Sequence, residues 1–202
     1  MDLKEYLEQG KNARYYVEDI EFDVKNESGI VFILESPHIH EVKRKKPLAG
    51  TSGEDVSRYL LNQNSAFGEL VEFLSGKIAI INVSNVPLQK INDNKDDVES
   101  IPDFKKFRTK MPNKETSFYK NFEKKIKKYI KTGNLFVVCG DFASNYFFEV
   151  LYNNKNKMKG FYEGDIKILK LPHPSGHSWQ KIVKYKDDLV TLKEIFANFK
   201  TK

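Results

Sequence analysis

One cysteine among 202 residues excludes an internal disulfide, an iron–sulfur cluster and a cysteine-based zinc site. That residue, Cys139, sits within the apolar run LFVVC, where a small buried hydrophobe is the expected role. Long apolar runs are missing as well. None approaches the ~20 residues of a membrane span, and the opening MDLKEYLEQGKNARYY has no apolar signal core. The chain therefore reads as cytoplasmic, without a membrane partner. No stretch rich in proline or glycine divides it and no internal repeat is visible, so residues 1–202 read as one domain.

What is present is enough for a core: 40% hydrophobic residues, with 15 Phe and 10 Tyr. Four short apolar runs rich in β-branched residues stand between turn residues: IVFILES after Gly29, IAIINVSNV after Lys77, LFVVC after Asn134 and IKILKL after Asp165. Continuous rather than alternating hydrophobicity marks strands covered on both faces. Helical stretches separate them: EDVSRYLLNQ, SAFGELVEFL, SFYKNFEKKIKKYIK, DFASNYFFEVLYN and, last, DDLVTLKEIFANF. In the third of these, Phe118, Phe122, Ile126 and Ile130 share one face at helical spacing. The alternation predicts a three-layer α/β/α domain with a four-stranded, mostly parallel sheet. Such sheets place their sites beyond the carboxyl ends of the strands. Residues 88–115, polar and interrupted by Pro102 and Pro112, read as a long surface excursion.

Positive charge exceeds negative, 34 Lys+Arg against 28 Asp+Glu, a net +6. That balance suits a polyanionic partner. The charge is clustered in Lys43-Arg44-Lys45-Lys46, in Lys105, Lys106, Arg108 and Lys110, and in the lysines from Lys120 to Lys131. The last group also reads as a plain solvent face of a helix.

The strand ends hold the chemistry. The first run leads into Glu35-Ser36-Pro37-His38-Ile39-His40-Glu41, the second into Asn82-Val83-Ser84-Asn85, and the fourth into His173-Pro174-Ser175-Gly176-His177-Ser178-Trp179. All four histidines and the one tryptophan fall in these segments. Two chemistries want such a grouping. One is a metal site built from His38, His40, His173 and His177 with Glu35 or Glu41. The other is cleavage of an N-glycosidic bond, in which the departing base gathers negative charge. That reaction needs a donor at the base oxygen, a carboxylate or amide to hold water, and an amide to read the base edge. His173, Glu35 and Asn82 are the matching residue types.

These segments resemble the motifs of the uracil-DNA glycosylase superfamily. Leu34-Glu35-Ser36-Pro37-His38 is similar to the first motif of its iron–sulfur branch (Gly-Glu-x-Pro-Gly). Pro47-Leu48-Ala49-Gly50-Thr51-Ser52-Gly53 is similar to the motif that follows. Asn82 falls where the family ends its second strand in a base-reading asparagine. Cys139-Gly140-Asp141-Phe142-Ala143 resembles its third strand end, and His173-Pro174-Ser175 its closing motif. The resemblance implies a monofunctional glycosylase that removes uracil or another altered pyrimidine flipped out of single- or double-stranded DNA. The single cysteine departs from the cluster-bearing branch and leaves no iron–sulfur cluster, so no metal and no cofactor are expected, and a monomer. The resemblance assigns water positioning to Glu35, base reading to Asn82 and a proton donor's role to His173, with Ser36, His38 and Leu48 around the base. DNA contacts would come from Lys43, Arg44, Lys45, Lys46, Gly50, Ser52, Gly53, Ser175 and His177, with Trp179 as a wedge or, alternatively, a core aromatic.

The sequence departs from the family at Ser36, where the best-known branch has a water-activating aspartate. It departs again at His38 in place of Tyr or Gly, and at Leu48, where an aromatic stacks on the base. Tyr59, Phe67 or Trp179 could supply that aromatic face. His38 and Leu48 also fit a glycosylase for a modified base, as in defence against phage DNA. Two other classes stay open: a non-catalytic nucleic-acid-binding relative, and a histidine-ligated, metal-dependent hydrolase.

Overall fold

The computed structural model describes residues 15–24, 28–74, 77–88, 114–130, 133–154, 166–174, 179 and 186–197. The expected excursion lies outside them over residues 89–113, together with the basic group Lys105–Lys110, as do Ser175 and His177. The described elements are β1 (Ile30–Leu34), α1 (Ile39–Arg44), α2 (Thr51–Leu61), α3 (Phe67–Leu70), which runs into a 3-10 turn (Val71–Phe73), and β2 (Ile78–Asn82). They continue with α4 (Ser117–Ile130), β3 (Leu135–Cys139), α5 (Asp141–Asn154), β4 (Lys167–Leu171) and α6 (Lys186–Ala197). Among the described residues no helix is long and apolar enough to cross a membrane.

The four strands form one parallel sheet in the order β2-β1-β3-β4. Successive strand side chains point to opposite faces, and here both faces are apolar. Ile30, Phe32, Leu34, Ile78 and Ile80 face one layer, where Val56 and Leu60 of α2, Phe67 of α3 and Leu192 and Phe196 of α6 cover them. Val31, Ile33, Ala79 and Ile81 face the other, under Phe122 and Ile126 of α4 and Tyr146 and Phe147 of α5. This is the three-layer α/β/α arrangement that the continuous apolar runs predict. Cys139 is fully buried, and burial pushes its thiol well above its ordinary value, so it packs as a hydrophobe.

The order of the strands fixes where a site can open. From β1 the chain crosses to β2 through α1–α3 on one face; from β3 it crosses to β4 through α5 on the other. The two neighbouring central strands thus send their chains apart, leaving a crevice above their carboxyl ends. At the far edge, residues 17–20 run beside β2, with Ile20 bridging Ile80 in antiparallel fashion.

Candidate active site at the carboxyl ends of the strands

A cleft of about 530 Å³ occupies that crevice. Its walls come from the residues following β1 (Glu35, Ser36, His38, His40, Glu41), from the Leu48–Ser52 turn, from Gly140–Phe142 after β3, and from His173 after β4. Three segments that the sequence keeps far apart therefore meet at one place.

The turn is held by an unusual arrangement. Leu48 is buried and has a φ of 49°, the left-handed region that costs a non-glycine residue about 1–2 kcal/mol. Its neighbours fix it there. The buried Glu41 carboxylate takes the Leu48 N–H on Oε1 at 2.6 Å and the His38 N–H on Oε2 at 2.7 Å. The Leu48 carbonyl accepts the Gly68 N–H at 2.9 Å. Gly53 of α2 lies so close that a Cβ there would stand 1.7 Å from the Leu48 oxygen, and one on Gly68 would stand 1.9 Å from the Pro47 oxygen. Burial raises the Glu41 carboxyl above its ordinary value, opposed by the two N–H donors. Gly53, one of the expected DNA contacts, packs here as the socket for this turn. Gly50 is buried at the start of α2, beside the His40 side chain.

Glu35 is buried at the end of β1, and Asn82, its counterpart at the end of β2, is fully buried. By strand alternation the Asn82 side chain lies on the face of Ile78, Ile80 and its cross-strand partner Leu34, and Leu34 lines the cleft. Neither Oδ1 nor Nδ2 of Asn82 has a hydrogen-bond partner among the described residues. Leaving a buried amide unpaired costs about 1–3 kcal/mol per group, so both atoms call for a partner beyond the described residues.

His173 is half-buried and packs against Gly140, whose φ of 87° suits glycine and whose hypothetical Cβ would stand 3.3 Å from the His173 Cβ. The Gly140 N–H donates to the Leu171 carbonyl at 2.8 Å, tying the two strand ends together. His38 and His40 both keep exposed surface; desolvation in the cleft and then the charge of His40 hold the His38 imidazole below its ordinary value. Ser36 is half-buried and accepts the Leu88 N–H on Oγ at 3.3 Å. Among the described residues no three His, Cys, Asp or Glu side chains converge as a metal site would require.

Other expected contacts are placed differently. Trp179 is 4% exposed, donates from Nε1 to the Pro172 carbonyl at 3.0 Å and meets Tyr59 edge-on, so it is the core aromatic of the two readings and not an exposed wedge. Phe67 is also core, packed on Phe32 and Phe196. The aromatic ring that does line the cleft is Phe142, stacked on Tyr146 at 4.6 Å. Sequence reasoning passed over it, although it directly follows the Gly140-Asp141 pair of a recognised segment.

In the basic run, Arg44 pairs with Glu69 and bonds the Ala49 carbonyl, Lys46 pairs with Glu72, and Lys45 reaches the Tyr16 carbonyl. Such exposed pairs contribute at most about 1 kcal/mol each. On α4, Lys120, Lys127 and Lys128 pair with Glu115, Glu123 and Glu21, in keeping with a solvent face.

No curated protein matches the chain. A family model does, over residues 22–196, and these span every strand and every wall of the cleft: the chain belongs to the uracil DNA glycosylase superfamily.

Proposed function

We propose that the cleft hydrolyses the N-glycosidic bond of uracil or another altered pyrimidine swung out of DNA. Superfamily membership supports a DNA-glycosylase type of activity. The observation that carries the reading further is the buried Asn82 amide, unpartnered among the described residues, at the end of the strand paired with β1, with Glu35 and His173 lining the cleft. In this reading the Asn82 amide meets the donor and acceptor on the edge of the extruded base. Glu35 orients a water toward the sugar C1′. As the C1′–N bond breaks, its electron pair leaves with the base, and His173 donates a hydrogen bond to the base oxygen that gathers the charge. The water oxygen ends on C1′ with one proton, the other proton ends on the departing base, and the products are a free base and an abasic sugar.

Phe142 offers the base a π-face in place of the aromatic that Leu48 replaces, and stacking of this kind contributes about 1–3 kcal/mol per base. No lysine lines the cleft among the described residues. A strand-cleaving glycosylase attacks C1′ with an amine, so the chemistry fits a monofunctional enzyme. DNA approaches through the basic Lys43–Lys46 run with Ser52 at the rim.

The test is product analysis on a panel of DNAs, each carrying one altered pyrimidine in single-stranded, mismatched or paired form. Free base with a strand break only after alkali is expected, fastest where the base is unpaired and extrusion is cheapest. Tight DNA binding with no base released from any member of the panel would identify a non-catalytic relative instead.

A further inference from the structure

On the side of β2 away from the cleft lies a buried ion pair that no step above uses. Asp19, on the segment beside the β2 edge, and Lys125 of α4 pair through Oδ2 and Nζ with side-chain exposures of 3% and 14%. Asp19 Oδ1 accepts the backbone N–H of Asn82 at 2.9 Å and the Nδ2 of Asn85 at 2.9 Å. Lys125 Nζ also donates to Asn85 Oδ1. Asn85 is stitched further to the same segment through both its backbone and its side chain at Val17. Around this group stand Glu21 of the edge segment and Lys124, Lys128 and Tyr129 of α4.

The strip so held, Asn82 to Asn85, is bonded on its other side to the strand that carries the cleft. The Val83 N–H donates to the Leu34 carbonyl at 2.9 Å and the Ser84 N–H to the Glu35 carbonyl at 3.0 Å. One strip of four residues therefore presents Asn82 and anchors the backbone of Glu35. A buried ion pair seldom stabilises a fold more than an apolar pair of the same volume would, but breaking it by removing one partner is costly, so it holds its surroundings to one geometry.

We propose that Asp19 and Lys125, acting through Asn85 and the Asn82 N–H, are positioning residues that set the β2 carboxyl end for base reading and the Glu35 backbone for water delivery. The inference rests on the glycosylase reading, with the ion pair as the brace behind the strip and the cleft in front of it. Burial raises the Asp19 carboxyl above its ordinary value while Lys125 opposes that rise, so removing the ammonium takes away the main group that offsets the burial of the carboxylate.

The test compares wild type, Lys125→Met and the double variant Asp19→Asn/Lys125→Met. Lys125→Met should slow single-turnover base release by about 10- to 100-fold, the cost of misplacing reacting groups by about an ångström. Its affinity for DNA carrying an abasic analogue, which has no base to read, should stay near wild type. The defect should shrink as pH falls and Asp19 takes up a proton. The double variant should recover most of the rate at every pH, because an amide at position 19 carries no charge and still accepts the Asn82 N–H.

A second readout does not depend on turnover. Amide hydrogen exchange at Asn82, Val83 and Ser84 should quicken at least about tenfold in Lys125→Met, while Val137 and Val138 on β3 keep their protection. Unchanged exchange along the strip, an unchanged release rate, or equal loss of protection on β3 each overturns the proposal. If wild type releases no base from any DNA, the glycosylase reading fails, and the exchange comparison still decides whether the pair braces the strip.

Discussion

Gly53→Ala sets two physical rules against each other. Judged by helix propensity alone, replacing a glycine inside the eleven-residue α2 should stabilise the protein by up to about 1 kcal/mol. The packing demands the reverse. A methyl at position 53 would stand 1.7 Å from the Leu48 carbonyl oxygen and 2.5 Å from its carbon, both backbone atoms that cannot swing aside. Either α2 retreats or the 47–49 turn does. Overpacking of this kind costs about 1–3 kcal/mol, and losing the Gly68 bond to the same carbonyl about 1 kcal/mol more. Allowing for the gain in helix propensity, the net loss should be about 1–3 kcal/mol, which for a chain of this size lowers Tm by roughly 2–12 °C. Thermal unfolding followed by circular dichroism measures it. The same movement should release the strained Leu48 into the cleft and lower single-turnover base release beyond what partial unfolding explains. A Tm that rises by 2 °C or more (roughly 1 kcal/mol or less of helix propensity) would refute the reasoning, because it would mean that α2 does not bear on the turn.

Three further outcomes follow from the site. His173→Ala should lower turnover about 10²–10³-fold with little loss of DNA affinity, as expected for one preorganised donor, and steady-state and binding assays together check it. Phe142→Ala should weaken capture of the extruded base by the roughly 1–3 kcal/mol of a stacking contact. The loss should be read in a fluorescence base-flipping assay, and Phe142→Tyr should restore most of it. For His38 the sign is set by its lowered value: the stability it supports is full above an ordinary histidine pKa of 6.5 and is lost as pH falls through the lowered folded value. His38→Gln should flatten that acid-side decline in urea midpoints, and an unchanged slope would remove His38 as its source.

The sheet was readable because its strands are covered on both faces and so appear as unbroken apolar runs; LFVVC coincides with β3 residue for residue. The second run was read too long, since the apolar Val83 and Val86 continue past the point where β2 ends and the chain turns at Ser84. Helix α1 went unseen because three of its six residues are charged and Ile39 and Val42 are its only apolar ones. Among candidate site residues, Glu35, Asn82 and His173 stand out in the sequence by their position at the ends of apolar runs, and the structure places Glu35 and His173 on the cleft wall and Asn82 buried at the end of β2. Glu41, Phe142 and the Asp19–Lys125 pair were not, because their roles depend on contacts across the fold. Gly53 and Trp179 show the converse: a glycine in a helix or a lone tryptophan reads equally as surface or interior until packing decides.

The two margins of the sheet bear on how copies of this chain behave toward one another. A bare outer strand is a template onto which a second chain can add. At β2 that template is already taken, since residues 17–20 bond to its outward backbone and Asp19 takes the last N–H. At β4, the other margin, the strand carries Lys167 and Lys170, and the latter pairs with Asp141 of its own chain. A second β4 laid alongside would bring like charges together in a position that a sheet tolerates poorly. Among the described residues, both margins of the sheet thus resist edge-to-edge pairing with a second copy.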